Sequence, residues 1–234
     1  YGSKATGFAD QIKEDILKPA MKNAPENVPF NDIHKAAQYL ANHIYQAVSQ
    51  TVLKDAEAMN WMLQTASAIT ANEQAITWTT PLGFPVVQDY RVTKNRQIDS
   101  VVCGTRLRVR FNDETDKIDS RKMVNAIAPN VVHSLDSTHL LLTVLRAADN
   151  HIFSYALIHD SFGTHAADTE RFFQLIRETF VELYCKKVFE QLEQEFTQQI
   201  NLAVAQRKKR PIPTLPSPGK YSLDQVLNSL FAFS

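Results

Sequence analysis

The stretch RVTKNRQIDSVVCGTRLRVRFN, residues 91–112, rules out most of the folds otherwise open to this chain. In its second half Arg106, Arg108 and Arg110 alternate with Leu107, Val109 and Phe111. A period of two belongs to a β-strand, whose successive side chains point to opposite faces. One face of this strand is therefore all arginine. Just upstream, WTTPLGFPVVQDY sets strand formers on either side of a Pro-Leu-Gly-Phe-Pro turn. Together these runs predict a long extended hairpin or loop between helical regions. Three arginines side by side with no interleaved acid repel one another. That face is either solvated or built for a polyanion.

The flanking sequence is helical. From Lys4 to about Met21, Phe8, Ile12, Ile16 and Leu17 share a face. A loop with two prolines spans residues 23–29, and Asn31 or Asp32 can cap the next helix. There Ile33, Ala37, Leu40, Ile44 and Val48 recur at helical spacing, and a further helical stretch runs through Val52, Ala56, Met59, Met62 and Ala66. After the extended region, DSRKMVNAIAPNVVHSLDSTHLLLTVLRAAD returns to helix, with Pro129 suited to a first helical position. His133, Asp136, Ser137 and Leu140 fall on one side of it, and Val132, Leu135, Leu142 and Val144 on the core side. Residues 168–206 predict one or two amphipathic helices, 207–222 a basic, Pro-rich connector, and 223–234 a last helix ending in aromatics. The fold class is α+β, mainly helical. Three regions follow: helices over 1–75, the extended hairpin over 76–118, and a mixed region over 119–234.

Twenty-five basic and 25 acidic residues cancel, so any basic surface is local. Cys103 and Cys185 lie far apart with no metal-binding spacing, which predicts reduced thiols. No apolar run is long enough to span a membrane. The chain opens Tyr1-Gly2-Ser3-Lys4 without Met, which suggests the C-terminal part of a longer protein.

A second strand-like pair surrounds His159, Asp160 and Ser161 in SYALIHDSFGTHAAD. Two short apolar runs joined by polar residues predict a β-hairpin. Asp and Ser favour turns because their side chains bond to nearby backbone. The alternative is a metal carboxylate, since Mg²⁺ is held by one or two carboxylates together with substrate phosphates.

IHDSFGTHAAD resembles the C motif of bacteriophage-type single-subunit DNA-dependent RNA polymerases. Further segments resemble that family in the same order: YGSKATGF at the start, EAMNW at 57–61, TPLGFPV at 80–86, AIAPNVVHSLDSTHL at 126–140, and the terminal FAFS. The resemblance implies part of the palm and fingers of a right-hand polymerase with a long β-hairpin specificity loop. It implies RNA synthesis from ribonucleoside triphosphates on a DNA template, at a specific promoter, by two-metal nucleotidyl transfer. Partners are then the DNA template and promoter, the RNA product and the triphosphates. The cofactor is Mg²⁺, the state monomeric, and the location the cytoplasm of an infected bacterial host. Gly163 after Phe162 leans toward phage rather than organelle.

By the same resemblance, Asp160 is the metal-binding catalytic carboxylate and His159 its catalytic neighbour. Tyr1 and Gly2 bind substrate, Tyr1 separating ribonucleotides from deoxynucleotides. His133 contacts the minor groove near the product end. Arg96, Gln97, Asp99, Arg106 and Arg108 belong to the DNA-reading ribbon, in which Gln can read adenine and Asp can accept from cytosine. Arg207 to Arg210 either grips phosphates or is a solvated turn. The terminal FAFS folds back toward the active site. Thr6 departs from the family, whose near relatives carry an aromatic there. The family's second catalytic aspartate lies upstream of Tyr1, so residues 1–234 alone are expected to be inactive. A related DNA polymerase and a non-enzymatic nucleic-acid-binding module are the alternatives. Ser161, where the DNA enzymes usually carry an acid, and the ribbon itself weigh against the DNA polymerase.

Overall fold

The computed structural model describes residues 5–23, 29–158, 161–204, 213–229 and 232–233. It divides into two compact units, one of residues 1–60 with 216–218, the other of 61–215 with 219–234.

In the first unit, α1 (Ala5–Gln11), a π-helical segment (Ile12–Leu17) and α2 (Lys18–Asn23) follow one another without a break. They pack against α3 (Ile33–Thr51), whose cap is Asp32, accepting from the Lys35 amide at 3.1 Å. The contact buries Ala9, Ile12 and Leu17 against Ala36, Ala37 and Ala41. The alanines let the two helices approach closely. The expected faces are rotated. Ile16 is 60% exposed, and Ile44 and Val48 are 41% and 44% exposed. The π segment explains the first shift. The Lys18 amide bonds back five residues to Lys13 O, and the same step of five brings Leu17, not Ile16, under Ile12.

In the second unit, the part of α4 (Leu53–Thr70) from Trp61 onward buries Trp61, Met62, Ala66 and Ile69. Strands β1 (Ile76–Thr79) and β2 (Pro85–Gln88) form a tight hairpin. Thr80 O accepts from the Gly83 amide at 2.8 Å, and Gly83 takes φ +86°, as its missing Cβ permits. Ile76 and Trp78 point inward, where Trp78 meets Phe196 of α7 (Val188–Val204) edge-on and donates to Ser134 Oγ at 3.0 Å. The free edge of β1 is closed by side chains of α7. Gln199 accepts from the Thr77 amide and donates to its carbonyl, and Glu195 accepts from the Thr79 amide at 2.7 Å. An open strand edge is thereby paired without another strand.

The extended region is thus two hairpins. The second pairs β3 (Arg91–Val102) with β4 (Thr105–Ile118) over nearly their whole length. Its turn is Cys103-Gly104, with φ +50° and +77°, the double positive φ of a type I′ turn. Next comes α5 (Ser120–Asp149), capped by Asp119, which accepts from the Lys122 amide at 3.0 Å. Pro129 therefore sits in the helix interior, not at its start. An internal proline costs about 3 kcal/mol. Here Met123, Ile127, Ala128 and Val131, all buried around it, hold the helix through the break. Strands β5 (Tyr155–Ile158) and β6 (Ser161–Thr164) follow, then a 3₁₀ turn (Ala166–Asp168), α6 (Thr169–Tyr184), α7 and the short α8 (Gln225–Asn228). Both cysteines are free and exposed. Among the described residues no helix is long and apolar enough to cross a membrane.

Candidate functional site

The β5–β6 ladder pairs Leu157 with Phe162 and Ile158 with Ser161. His159 and Asp160, the two residues between the last pair, lie outside the described residues, as do Tyr1, Gly2 and the run 207–210. What is described is their support. Tyr155, Leu157 and Phe162 pack against a core of Ala147, Ile152, Phe172, Leu175 and Ile176. Phe172 stacks on Tyr155 and meets Phe162 edge-on, with centroids 6.5 and 6.2 Å away. Fully burying such a ring contributes about 1.5–3 kcal/mol. Gly163 lies opposite Ala156, and a Cβ there would meet Ala156 at ordinary contact distances of 3.5 and 3.6 Å.

The hub behind the hairpin is His139, which the sequence reading passed over. It is 6% exposed, and its Nε2–H donates to Ile176 O at 2.8 Å. Its ring contacts Phe162, Phe180 and Phe233 at 5.3–5.8 Å. Burial pushes its pKa below the ordinary 6.5, against weaker opposing effects of the Ile176 bond and Asp136. A neutral imidazole thus ties α5, β6, α6 and the C-terminal Phe233 together. The signal was in the sequence. His139 lies four residues after Leu135 and three before Leu142, on the core side of the helix. Phe233 is the described part of the predicted C-terminal return; Leu230, Phe231 and Ser234 lie outside it. Arg177 secures the same segment. It is 3% exposed, donates to Ser229 O at 2.7 Å and stacks over Phe173. Its Nε and Nη1 have no hydrogen-bond partner among the described residues.

The ribbon is a different environment. Every residue from Val92 to Asn112 is exposed. The register puts Gln97 opposite Arg110, Asp99 opposite Arg108 and Val101 opposite Arg106. These six residues share one face. Arg96 pairs with Phe111 and so belongs to the other face, with Ile98, Leu107 and Val109. Arg96 is thus separated from the residues it was grouped with. The arginine face is not free of acid either. Arg108 Nε donates to Asp99 Oδ1 at 2.9 Å, while on the other face Arg96 lies 3.9 Å from Asp113. Charge is graded along the ribbon. Residues 96–110 hold four arginines and one aspartate, whereas at the root, residues 91–95 with 111–118, three acids are balanced by Arg91, Lys94 and Lys117.

The root of the ribbon is held by a buried polar network. Gln88 donates to Met123 O at 2.8 Å, and Asn130 donates to Gln88 Oε1 at 2.9 Å and to Tyr90 Oη at 3.1 Å. Glu73 accepts from the Ile118 amide at 3.0 Å. His133, three residues beyond Asn130, is exposed on α5, as are Asp136 and Ser137.

The sequence matches the protein-family model of DNA-dependent RNA polymerases over residues 1–212. The chain belongs to this family. The DNA-directed RNA polymerase of Enterobacteria phage T3 is 38% identical over 250 aligned positions, which cover 100% of this chain and 28% of that protein. T7 RNA polymerase of Escherichia phage T7 is 37% identical, with the same coverage. The mitochondrial DNA-directed RNA polymerase 1 of Arabidopsis thaliana is 34% identical, with 22% of its length covered. The chain therefore spans between a fifth and a third of these phage and organellar polymerases. The family sides with the RNA polymerase reading over the DNA polymerase one.

Among the described residues no three His, Cys, Asp or Glu side chains come together as a metal site. The carboxylate whose chemistry suits Mg²⁺, Asp160, is a single hard oxygen donor. One such donor fits the usual mode of Mg²⁺ binding, in which substrate phosphates and water complete the shell.

Proposed function

We propose that this chain is the C-terminal part of a single-subunit RNA polymerase. The intact enzyme joins ribonucleoside triphosphates on a DNA template, starting at a specific promoter. Asp160 is its metal-binding catalytic carboxylate, and His159 places the primer end beside it. Mg²⁺, when bound, supplies Lewis-acid activation of the 3′-hydroxyl and stabilisation of the leaving pyrophosphate. The chain's own part is positional. The observation that carries the reading is the β5–β6 ladder. It ends at Ile158 and Ser161, either side of His159-Asp160, and is braced from behind by Phe162, Phe172 and His139. A rigid support keeps a catalytic group within the small tolerance that orientation effects require.

The ribbon reads promoter DNA. A two-stranded ribbon fits the major groove, and its basic end leads. Gln97, Asp99, Arg106, Arg108 and, from the other face, Arg96 serve that contact. His133 touches the nucleic-acid duplex near the product, and Tyr1 with Gly2 lines the nucleotide site. The enzyme acts as a monomer in the cytoplasm of an infected bacterium. Residues 1–234 alone lack activity, because one carboxylate does not complete a two-metal site.

The test is Mg²⁺-dependent incorporation by the intact parent on a promoter template. Ribonucleotides are expected to be incorporated and deoxynucleotides rejected. Equal use of both would overturn the RNA polymerase assignment, and primer extension by residues 1–234 alone would overturn the division of the metal site.

A further inference from the structure

We propose that Asn130 is a positioning residue that aims the β3–β4 ribbon, through a buried relay of amides running from Met123 to Tyr90. The inference rests on the reading of the ribbon as a promoter-recognition element, but it concerns the root of the ribbon and not the side chains at its end. The relay has one orientation. Met123 O only accepts, so Gln88, 3% exposed, must present its amide nitrogen there, at 2.8 Å. Its oxygen is then left for Asn130, whose Nδ2 donates to Gln88 Oε1 at 2.9 Å and to Tyr90 Oη at 3.1 Å. Turning either amide over would set oxygen against oxygen. Tyr90 is the last residue before β3, and its other contacts lead to the start of the same helix. Its amide donates to Met123 Sδ at 3.2 Å, its carbonyl accepts from the Asp119 amide at 2.9 Å, and Lys122 Nζ lies 4.7 Å from its ring centroid.

Leverage makes the angle matter. β3 has 12 residues, a reach of about 40 Å at about 3.4 Å per residue. A turn of about 5° at the root therefore moves the far end by about 3.5 Å, one base-pair step of DNA. The base of the ribbon does not absorb such an error. The ladder shifts register between Arg91 and Thr93, and a break of that kind bends a strand. Here the break is stitched: Thr115 Oγ1 donates to Val92 O at 2.8 Å, and Arg91 Nη1 donates to Asp116 O at 2.7 Å. The angle of the arm is thus passed down to Tyr90 and its partners. Apolar packing would bury the root equally well, but it is non-directional, whereas hydrogen bonds hold a direction. A polar network in this buried place serves orientation. His133, the residue proposed to touch the product duplex, is one turn along α5 from Asn130. That turn of helix carries both the ribbon's anchor and the proposed duplex contact.

The experiment uses the intact polymerase and compares promoter-directed transcription with extension of a primer on a template that has no promoter. Asn130→Asp keeps the shape of the side chain and removes both donors. It should lower promoter-directed transcription by up to about 100-fold, the scale for a displacement near 1 Å, and leave promoter-free extension unchanged. Tyr90→Phe removes the hydroxyl and keeps the ring under Lys122. It should act in the same direction by a smaller factor, and the double variant should be no worse than Asn130→Asp. The signature of aim is spacing. On promoters lengthened or shortened by one base pair between the recognised sequence and the start site, Asn130→Asp should shift the preferred spacing while the preferred bases stay the same. An equal fall of both activities in Asn130→Asp and in the milder Tyr90→Phe would make the relay purely structural and overturn the proposal, as would an unaltered spacing preference. A companion enzyme with its ribbon cut back to Thr93 and Glu114 separates the two readings. Loss of promoter use in that enzyme but not in Asn130→Asp would leave the ribbon as the reader and deny Asn130 its role. Promoter use retained without the ribbon would overturn the ribbon reading and this proposal together.

Discussion

Two antiparallel hairpins of this chain are made to opposite specifications. The ribbon has strands of 12 and 14 residues, exposed along both faces and secured at its root. The β5–β6 hairpin has strands of four residues each, with one face pressed onto an aromatic core. The length of the first suits the reach proposed for it, and its exposed side chains can be exchanged at little cost to folding. The second is short and braced, as the proposed catalytic role of its tip requires. On the proposed function, specificity sits where packing does not dictate the side chain, and chemistry where packing dictates nearly all of them. Their anchors meet on one helix. Asn130 of α5 holds the ribbon root through Gln88 and Tyr90, and His139, nine residues on, braces the short hairpin.

The sharpest test of that contrast is chemical. In the intact polymerase, Asp160→Asn should cost more turnover than the roughly 10–100-fold lost when a mere supporting residue is removed. Promoter binding should be retained. Transcription and promoter-binding assays on the same preparation would check this, and near-normal turnover would deny Asp160 its metal role.

Packing gives the next largest difference. Phe172→Ala should destabilise the short hairpin by about 3–5 kcal/mol, as for other buried aromatics. Val109→Ala, on a ribbon residue 40% exposed, should stay within about 0.5 kcal/mol. Hydrogen exchange of the Tyr155–Thr164 amides in the intact protein would report the first change and be blind to the second. Equal protection in both variants would contradict the division between rigid and free hairpins.

Acid should separate the two regions more gently. His139 has its pKa lowered below 6.5 by burial, so the fold binds its neutral form better. Between the ordinary and the lowered value the unfolded chain carries more protons, and stability rises with pH there. The His139 contribution is therefore whole above about pH 6.5 and is lost as pH falls through the lowered value. Asp136 opposes part of the shift. Thermal unfolding followed from pH 7.5 to 5 should lose stability, and His139→Gln should flatten the acid side of the profile. A slope unchanged in the variant would point to another group.

The smallest effect belongs to the ribbon turn. Gly104 has φ +77° with nothing within 4 Å of an added Cβ, so Gly104→Ala meets strain without a clash. A cost of about 1 kcal/mol is expected, confined to the ribbon amides in hydrogen exchange. Spread of that loss to the short hairpin would mean that the two regions are mechanically coupled.

Local chemistry explains what was legible beforehand. The Asp32 cap, the Thr80–Gly83 turn, the alternation of residues 106–111 and the strand pair around His159-Asp160 each depend on a few neighbours in sequence, so each could be read directly. The order of motifs likewise carried the family. Other features needed partners that are distant in the chain. The π segment kept Leu17 inward and turned Ile16 out. Burial around Pro129 outweighed the local penalty and kept it inside a helix that starts at Ser120. Register decided that Asp99 faces Arg108 and that Arg96 lies on the opposite side, because a shift of one residue would reverse every face. The bonds from α7 to the edge of β1, and the aromatic cage around His139, came from elements tens of residues apart. By itself the sequence determined the elements, the turns and the residue types available for chemistry. The tertiary structure decided which of those residues meet, because burial and strand register depend on the whole chain at once.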